Sequence, residues 1–389
     1  MTLDLRDHFK IFRNADPARI HLAAHSHHYW PDAACAAHQH AVELAAQRAD
    51  DKWDAIFGEL VPRVQHGIAD ILNLRDPATI AFAPNTHEFI MRLISALPSD
   101  RPVGILTTDS EFHSLTRQLA RLEEDGLARV ERVPTEPLAS FPARFAKAAT
   151  GGHDLVFLSH VFFNSAATAG DLAALAAAVL RDDTLLVIDG YHGFMALPTD
   201  FAPLADRAFY LAGGYKYAMA GEGACFMHCP PVYAPRPRDT GWYAAFGALT
   251  GASDGRVAYG TDGSRFLGAT FDPSGLYRLA AVFDWMDAIG LTVGAIHDHV
   301  LALQELFLKE IDSVAPLHQA RLITPVAPET ARGHFLTFET PQAQAIYRRL
   351  SAANIVTDVR ANRIRFGFGC YHVADDIAAA AATIRRVLD

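Results

Sequence analysis

The chain predicts an α/β fold, a large domain with a mostly parallel seven-stranded sheet plus a small C-terminal α+β domain. Three observations predict it. Seven short strand-like runs, most of them apolar, alternate with helical stretches over residues 79–228, the pattern of strands joined by crossover helices. Half of the 389 residues are apolar, enough to bury a large core. Beyond residue 275 the pattern changes to two long helices, isolated strands and a closing helix.

In order, residues 1–30 predict an irregular arm, distinguished by His21-Leu22-Ala23-Ala24-His25-Ser26-His27. Pro31 suits the first turn of an Ala-rich helix reaching about Arg48. A second helix over 59–72 carries Val61, Val64, Ile68 and Ile71 at helical spacing. Strands are expected at 79–83, 103–107, 129–133, 155–159, 185–188, 208–212 and 224–228. Asn85 is placed to cap the helix that follows the first of them. Residues 230–275 are broken by Pro230, Pro231, Pro235 and Pro237 and rich in glycine, which predicts long active-site or interface loops. Helices over 274–289 and on to 311, strands at 333–339 and 363–368, and a helix over 375–388 make up the small domain. The expected organisation is an arm at 1–30, a large domain at 31–275 and a small domain at 276–389.

Composition removes several function classes. No apolar run reaches the ~18–20 residues of a membrane span. The first residues lack a signal-peptide core, and four scattered cysteines suit a reducing cytoplasm. A formal net charge of −10 opposes nucleic-acid binding. Nineteen histidines raise the question of metal, but none has zinc-motif spacing, so no metal site is expected.

The chemistry-bearing residues fall at strand ends, where parallel sheets bind ligands. Lys216 follows the run at 208–212 inside Gly213-Gly214-Tyr215-Lys216-Tyr217. It is either a solvated turn lysine or a desolvated amine suited to a Schiff base. Asp189 ends the apolar run at 185–188, where a carboxylate needs a cation or donors unless it is a turn or cap residue. Asn85-Thr86-His87 opens a helix and is either an ordinary cap or a phosphate site. Phe112 and His113 are either buried rings or faces for a flat ligand. Together they supply what pyridoxal 5′-phosphate requires: a lysine, a carboxylate for the pyridine nitrogen, a stacking face and a phosphate site. No G-x-G-x-x-G or G-x4-G-K-[ST] opens a helix after the first strand, which removes dinucleotide and P-loop readings.

These residues resemble those of fold type I pyridoxal-phosphate enzymes of the class V aminotransferase superfamily, most of all the kynureninases. Tyr215-Lys216-Tyr217 followed by Ala220-Gly221-Glu222-Gly223 is similar to the family's Y-K-Y-L-N-x-G-P-G, and Asp189-Gly190-Tyr191-His192 to its D-x-x-H. The resemblance implies that Lys216 is the Schiff-base lysine, Asp189 the partner of the ring nitrogen, His192 a neighbour of the cofactor and Tyr215 a phosphate ligand. It also assigns Phe112 to stacking, with His113 as runner-up, and Thr86 and His87 to the phosphate helix. Asn164 in the loop after residue 159 becomes a ring contact. Gly241-Trp242 matches a Gly-Trp whose tryptophan helps hold the phosphate across a homodimer interface, and Thr270 fits a cross-dimer phosphate ligand. Arg360-Ala361-Asn362-Arg363-Ile364-Arg365 resembles R-x-P-x-x-I-R, which assigns Arg365 to the substrate α-carboxylate, joined by Ser26 and His27 of the arm. The implied activity is a lyase or hydrolase that breaks a carbon–carbon bond in the side group of an amino acid. The segments at Thr270 and Cys370 depart from the family. Aminotransferase, epimerase and C–S lyase chemistry on another amino acid, or a binding module, therefore stand beside it. Desulfuration fits least, since no cysteine lies between Cys229 and Cys370.

Overall fold

The computed structural model describes residues 3–248, 255–327 and 330–389. The arm contributes a helix, Lys10–Ala15, and a strand, β1 (Ile20–His21). The seven expected strands follow: β2 (Ile80–Ala83), β3 (Val103–Thr108), β4 (Ala128–Val133), β5 (Leu155–Ser159), β6 (Leu185–Asp189), β7 (Ala208–Ala212) and β8 (Cys225–His228). They form one sheet in the order β2-β8-β7-β6-β5-β3-β4, and only β8 runs against the rest. The middle strands are apolar up to their carboxyl ends because both faces are covered. Leu186 and Ile188 of β6 enter one core, while Leu185 and Val187 enter the other. Asn85 caps the helix Thr86–Ala96 as expected, accepting a hydrogen bond from the Glu88 N–H at 3.1 Å.

The C-terminal region holds β9 (Arg321–Leu322), β10 (Phe335–Glu339), β11 (Ile355–Val356), β12 (Asp358–Arg360) and β13 (Arg363–Gly367). An antiparallel sheet of order β12-β13-β10-β9 forms from four of them. Sequence reading expects only the two strands that became β10 and β13; the others are two or three residues long and carry no readable period. The helix Ser274–Ala288 packs on Asp32–Arg48 and Val61–Leu72, so it joins the helical layer beside the large sheet. Among the described residues no single helix is long and apolar enough to cross a membrane.

The arm is not irregular throughout. β1 pairs in parallel with β11, and the Leu22 N–H donates to the Val356 carbonyl at 2.8 Å. The Gly367 N–H donates to the Leu22 carbonyl at 2.7 Å, extending the contact to β13. Burial decides this segment, because Leu22, Ala23 and Ala24 are apolar and covered. The track carries His25 flat against Gly367, where a Cβ would lie 2.1 Å from the His25 ring. Gly367→Ala is therefore expected to push the arm off β13 and cost about 1–3 kcal/mol by overpacking. A lower melting temperature together with faster proteolysis before residue 30 checks this; an unchanged melting curve contradicts it.

Candidate active site

The carboxyl ends of β5, β6 and β7 meet at a cavity of about 320 Å³. Register places Ser159 beside Asp189 at the ends of β5 and β6. β7 then turns through Gly213 and Gly214, where bulk is not tolerated. A Cβ on Gly213 would lie 2.3 Å from the Tyr191 hydroxyl, and one on Gly214 would lie 2.6 Å from the Gly221 carbonyl. The turn delivers Lys216 into the cavity. Arg278 braces the far side: its Nε donates to the Ala220 carbonyl at 2.5 Å and its Nη2 to the Glu222 carbonyl.

Lys216 is 6 % exposed, and its Nζ lies 2.8 Å from His192 Nε2. Burial lowers its pKa to about 7; the Asp189 charge opposes that fall and the Arg365 charge adds to it. Its amine sits 4.7 Å from the Tyr191 ring centre, 5.6 Å from that of Phe112 and 5.7 Å from that of Tyr215. His192 is held well below the ordinary histidine range by burial and then by the Lys216 charge, so it stays neutral. Its Nδ1 has no hydrogen-bond partner among the described residues. Asp189 opens part of its surface to the cavity and accepts from the Tyr191 N–H at 2.9 Å. Burial still raises its carboxyl, against that hydrogen bond and the Lys216 charge.

Thr86 and His87 line the cavity at the start of their helix, where the first N–H groups have no partner within the helix. Phe112 lines it with its ring 37 % exposed. The walls thus suit a flat, phosphorylated heterocycle: N–H groups for an anion, a ring face, a buried carboxylate and a poised amine.

Other expected residues stand elsewhere. Asn164 is outside the lining and donates to Ser110 Oγ at 2.8 Å. His27 stacks on Tyr215 at 5.0 Å and lies 3.6 Å from the Glu222 carboxylate, while Ser26 contacts the His27 ring at 3.3 Å. Trp242 stacks on Tyr243 at 4.3 Å and is 45 % exposed; Thr270 is exposed as well. Arg365 is buried behind Phe163, which lines the cavity, and is ion-paired to Asp358.

Sequence reasoning missed Glu111, His25 and Arg278. Glu111 is buried beside the site and accepts from Ser159 Oγ at 2.5 Å and Thr108 Oγ1 at 2.7 Å. Burial pushes its pKa up to about 7, with those hydrogen bonds opposing and Asp189 adding. Its place between a strand end and Phe112 was the available signal.

Residues 296–384 match the family model of the kynureninase C-terminal domain. Over 354 residues the protein is 26% identical to a kynureninase of Pseudomonas fluorescens, spanning 87% of this sequence and 81% of that one. It is 24% identical over 294 residues to a probable cysteine desulfurase of Vibrio cholerae serotype O1, spanning 73% and 71%. A solved structure of a C-DES variant with glycine covalently linked to its pyridoxal-phosphate cofactor superposes with a TM-score of 0.81 at 18% identity, covering 99% of each protein. The fold is that of the fold type I enzymes, and the protein is a pyridoxal-phosphate-dependent enzyme similar to kynureninases and cysteine desulfurases. Within that class it is kynureninase-like.

The depressed Lys216 pKa sets a pH dependence. The neutral amine gains population as pH rises through about 7, whereas an ordinary lysine would gain it only near pH ~10. Cofactor uptake by the cofactor-free protein is expected to accelerate between about pH 6 and 8 and then level off. Stopped-flow absorbance follows it; a rate still climbing steeply above about pH 9 contradicts the assignment.

Proposed function

We propose that this protein hydrolytically cleaves a C–C bond in the side group of an amino acid, as a kynureninase does, using Lys216 to hold pyridoxal 5′-phosphate. The observation that carries the proposal is the buried Lys216 Nζ, 2.8 Å from a neutral His192, in the same cavity as Asp189 and Phe112. The N–H groups at Thr86 and His87 suit the phosphate, with Tyr215 beside them; Phe112 suits the ring face and Asp189 the ring nitrogen. When bound, the cofactor supplies an electron sink for negative charge on the carbon bearing the amine. With the cofactor in place, Lys216 Nζ would be the group to accept the proton from that carbon. His192 Nε2 lies within reach to share that proton. Phe112, Phe163 and Tyr191 line the cavity around the amine, and this burial lowers its pKa. Arg365 suits the substrate carboxylate through its guanidinium fork.

A C–S lyase is the second reading. A solved structure of the cystine C–S lyase C-DES with its product cysteine persulfide superposes with a TM-score of 0.78, covering 94% of this protein and 97% of that one. Transfer of sulfur to an enzyme thiol, as desulfuration requires, is opposed by the thiols present. Burial raises Cys225 to about 11, Cys229 and Cys370 to about 12, and Cys35 above the ordinary thiol range, so all four stay protonated.

A homodimer completes this reading. Trp242 and Thr270 lie outside the cavity lining of their own subunit and suit the cofactor phosphate of a partner's site. Lys216→Ala and Trp242→Ala subunits, refolded together, are then expected to regain activity that neither variant has alone. A monomer by sedimentation, or no recovery on mixing, overturns the shared site.

The reaction itself is checked with kynurenine. Anthranilate should appear with the wild-type holoenzyme, and Lys216→Ala should lose the visible cofactor band and on the order of 10³-fold or more of the rate. Kynurenine left intact, with cystine consumed instead, would shift the reading to C–S cleavage while keeping the cofactor site.

A further inference from the structure

A second buried carboxyl lies beside the cofactor cavity, and the chemistry derived above makes no use of it. Glu111 is 2 % exposed. Three donors meet it. Thr108 Oγ1 at 2.7 Å and the Ser159 N–H at 3.2 Å reach Oε1, and Ser159 Oγ at 2.5 Å reaches Oε2. The groups facing it are thus Thr108 from β3 and Ser159 from β5, joined by Asp189 from β6. Among the described residues it has no cation partner, and the charge acting on it is that of Asp189, which opposes its ionisation. A buried carboxylate without a cation is costly. A glutamine here would meet the same donors with no charge to desolvate, so it is the acid itself that needs a role.

Ser159 connects Glu111 to the site. It ends β5 beside Asp189 at the end of β6, and both line the cavity. A hydroxyl can face an acid in either sense. With Glu111 ionised, the Ser159 proton is committed to Oε2. With Glu111 protonated, Oε2–H donates to Ser159 Oγ, and the Ser159 proton is free to turn towards Asp189 and the cavity. Both differences act on Asp189 in one direction. An ionised Glu111 adds negative charge near Asp189 and withdraws a donor from it, and each change favours a proton at that end of the site. Lys216 is the cation that acts on Asp189. Arg365 and Arg360 share Asp358, and the effect of both arginines falls on Lys216. One amine therefore faces two carboxyls, whose protons are coupled.

We propose that Glu111 is a positioning residue for the cofactor: acting through Ser159, its ionisation sets how firmly the Asp189 end of the site holds the ring-nitrogen proton. Asp189 thereby keeps that proton to higher pH than it would alone, which preserves the electron sink in alkaline solution. In the change one proton passes from Glu111 to solvent, and no bond other than its O–H breaks. The inference rests on the reading of Asp189 as the partner of the ring nitrogen.

Two measurements test it. In the cofactor-free protein, burial pushes the Glu111 pKa up to about 7, against about 4.3 in an unfolded chain. An acid raised in this way contributes stability that is complete below about pH 4 and lost as pH rises through about 7. Glu111→Gln is spared that loss, so its melting temperature should gain on wild type by about 2–5 °C between pH ~5 and pH ~8. In the holoenzyme rebuilt with pyridoxal 5′-phosphate isotope-labelled at the ring nitrogen, NMR reads the ring proton directly. Glu111→Gln, which mimics the protonated acid, should lose that proton at a pH about one unit below wild type. Glu111→Ala, likewise uncharged, replaces it in both measurements should Glu111→Gln fail to fold. A melting difference that does not change with pH, or a ring proton that behaves identically in both proteins, overturns the proposal. Asp189→Asn separates this from the reading beneath it. A ring nitrogen unaffected by Asp189→Asn removes Asp189 from the ring and the proposal with it. A ring proton lost early in Asp189→Asn but not in Glu111→Gln removes the role of Glu111 alone.

Discussion

The structure depends on a lysine placed where it cannot comfortably keep its charge. Lys216 is buried, and its pKa falls to about 7 although Asp189 pulls the other way. Desolvation therefore exceeds the Coulomb gain from a single nearby carboxylate. The strong turn chemistry around it follows from that. Gly213 and Gly214 allow the tyrosine and the returning loop to close over the amine, and Arg278 fixes two carbonyls on the far side. His192 stays neutral because the same burial and the same lysine act on it. A reactive amine is produced here chiefly by packing, with the Arg365 charge adding to the effect.

The two ends of the site are prepared differently. The cofactor end is assembled by the large sheet, whose strand ends carry Ser159, Asp189 and, after the glycine turn, Lys216. The end proposed to take the substrate is assembled by the small sheet and the arm together. β1 lies along β11, and the backbone then crosses Gly367 to set His25 near Asp358 and Arg365.

The inner strands of the large sheet were legible because they are buried on both faces and read as apolar runs, and the edge strand β4, half-exposed, by Val130 and Val133 set among charged residues. Asn85 was legible because caps have their own residue chemistry, and Lys216 and Asp189 because charge at the end of an apolar run is costly. The short strands β9, β11 and β12 were not, since two or three residues define no period. Nor was the arm's course, which is set by tertiary pairing with β11. Ser26 and His27 drew attention as polar arm residues, yet His25 is the buried one beside Asp358. One-residue choices of this kind depend on which way a docked segment faces. Glu111 escaped because an acid preceding an aromatic looks like ordinary surface until three strand ends close over it.

The central claim is that Lys216, among five lysines in the sequence, holds the cofactor. Reducing the holoenzyme with borohydride fixes the cofactor to its lysine, and peptide mass spectrometry then locates the label. A pyridoxyl label is predicted on the peptide containing Lys216 and on no other. A label on Lys10, Lys52, Lys147 or Lys309, or no label in a protein that carries the visible band, would contradict it.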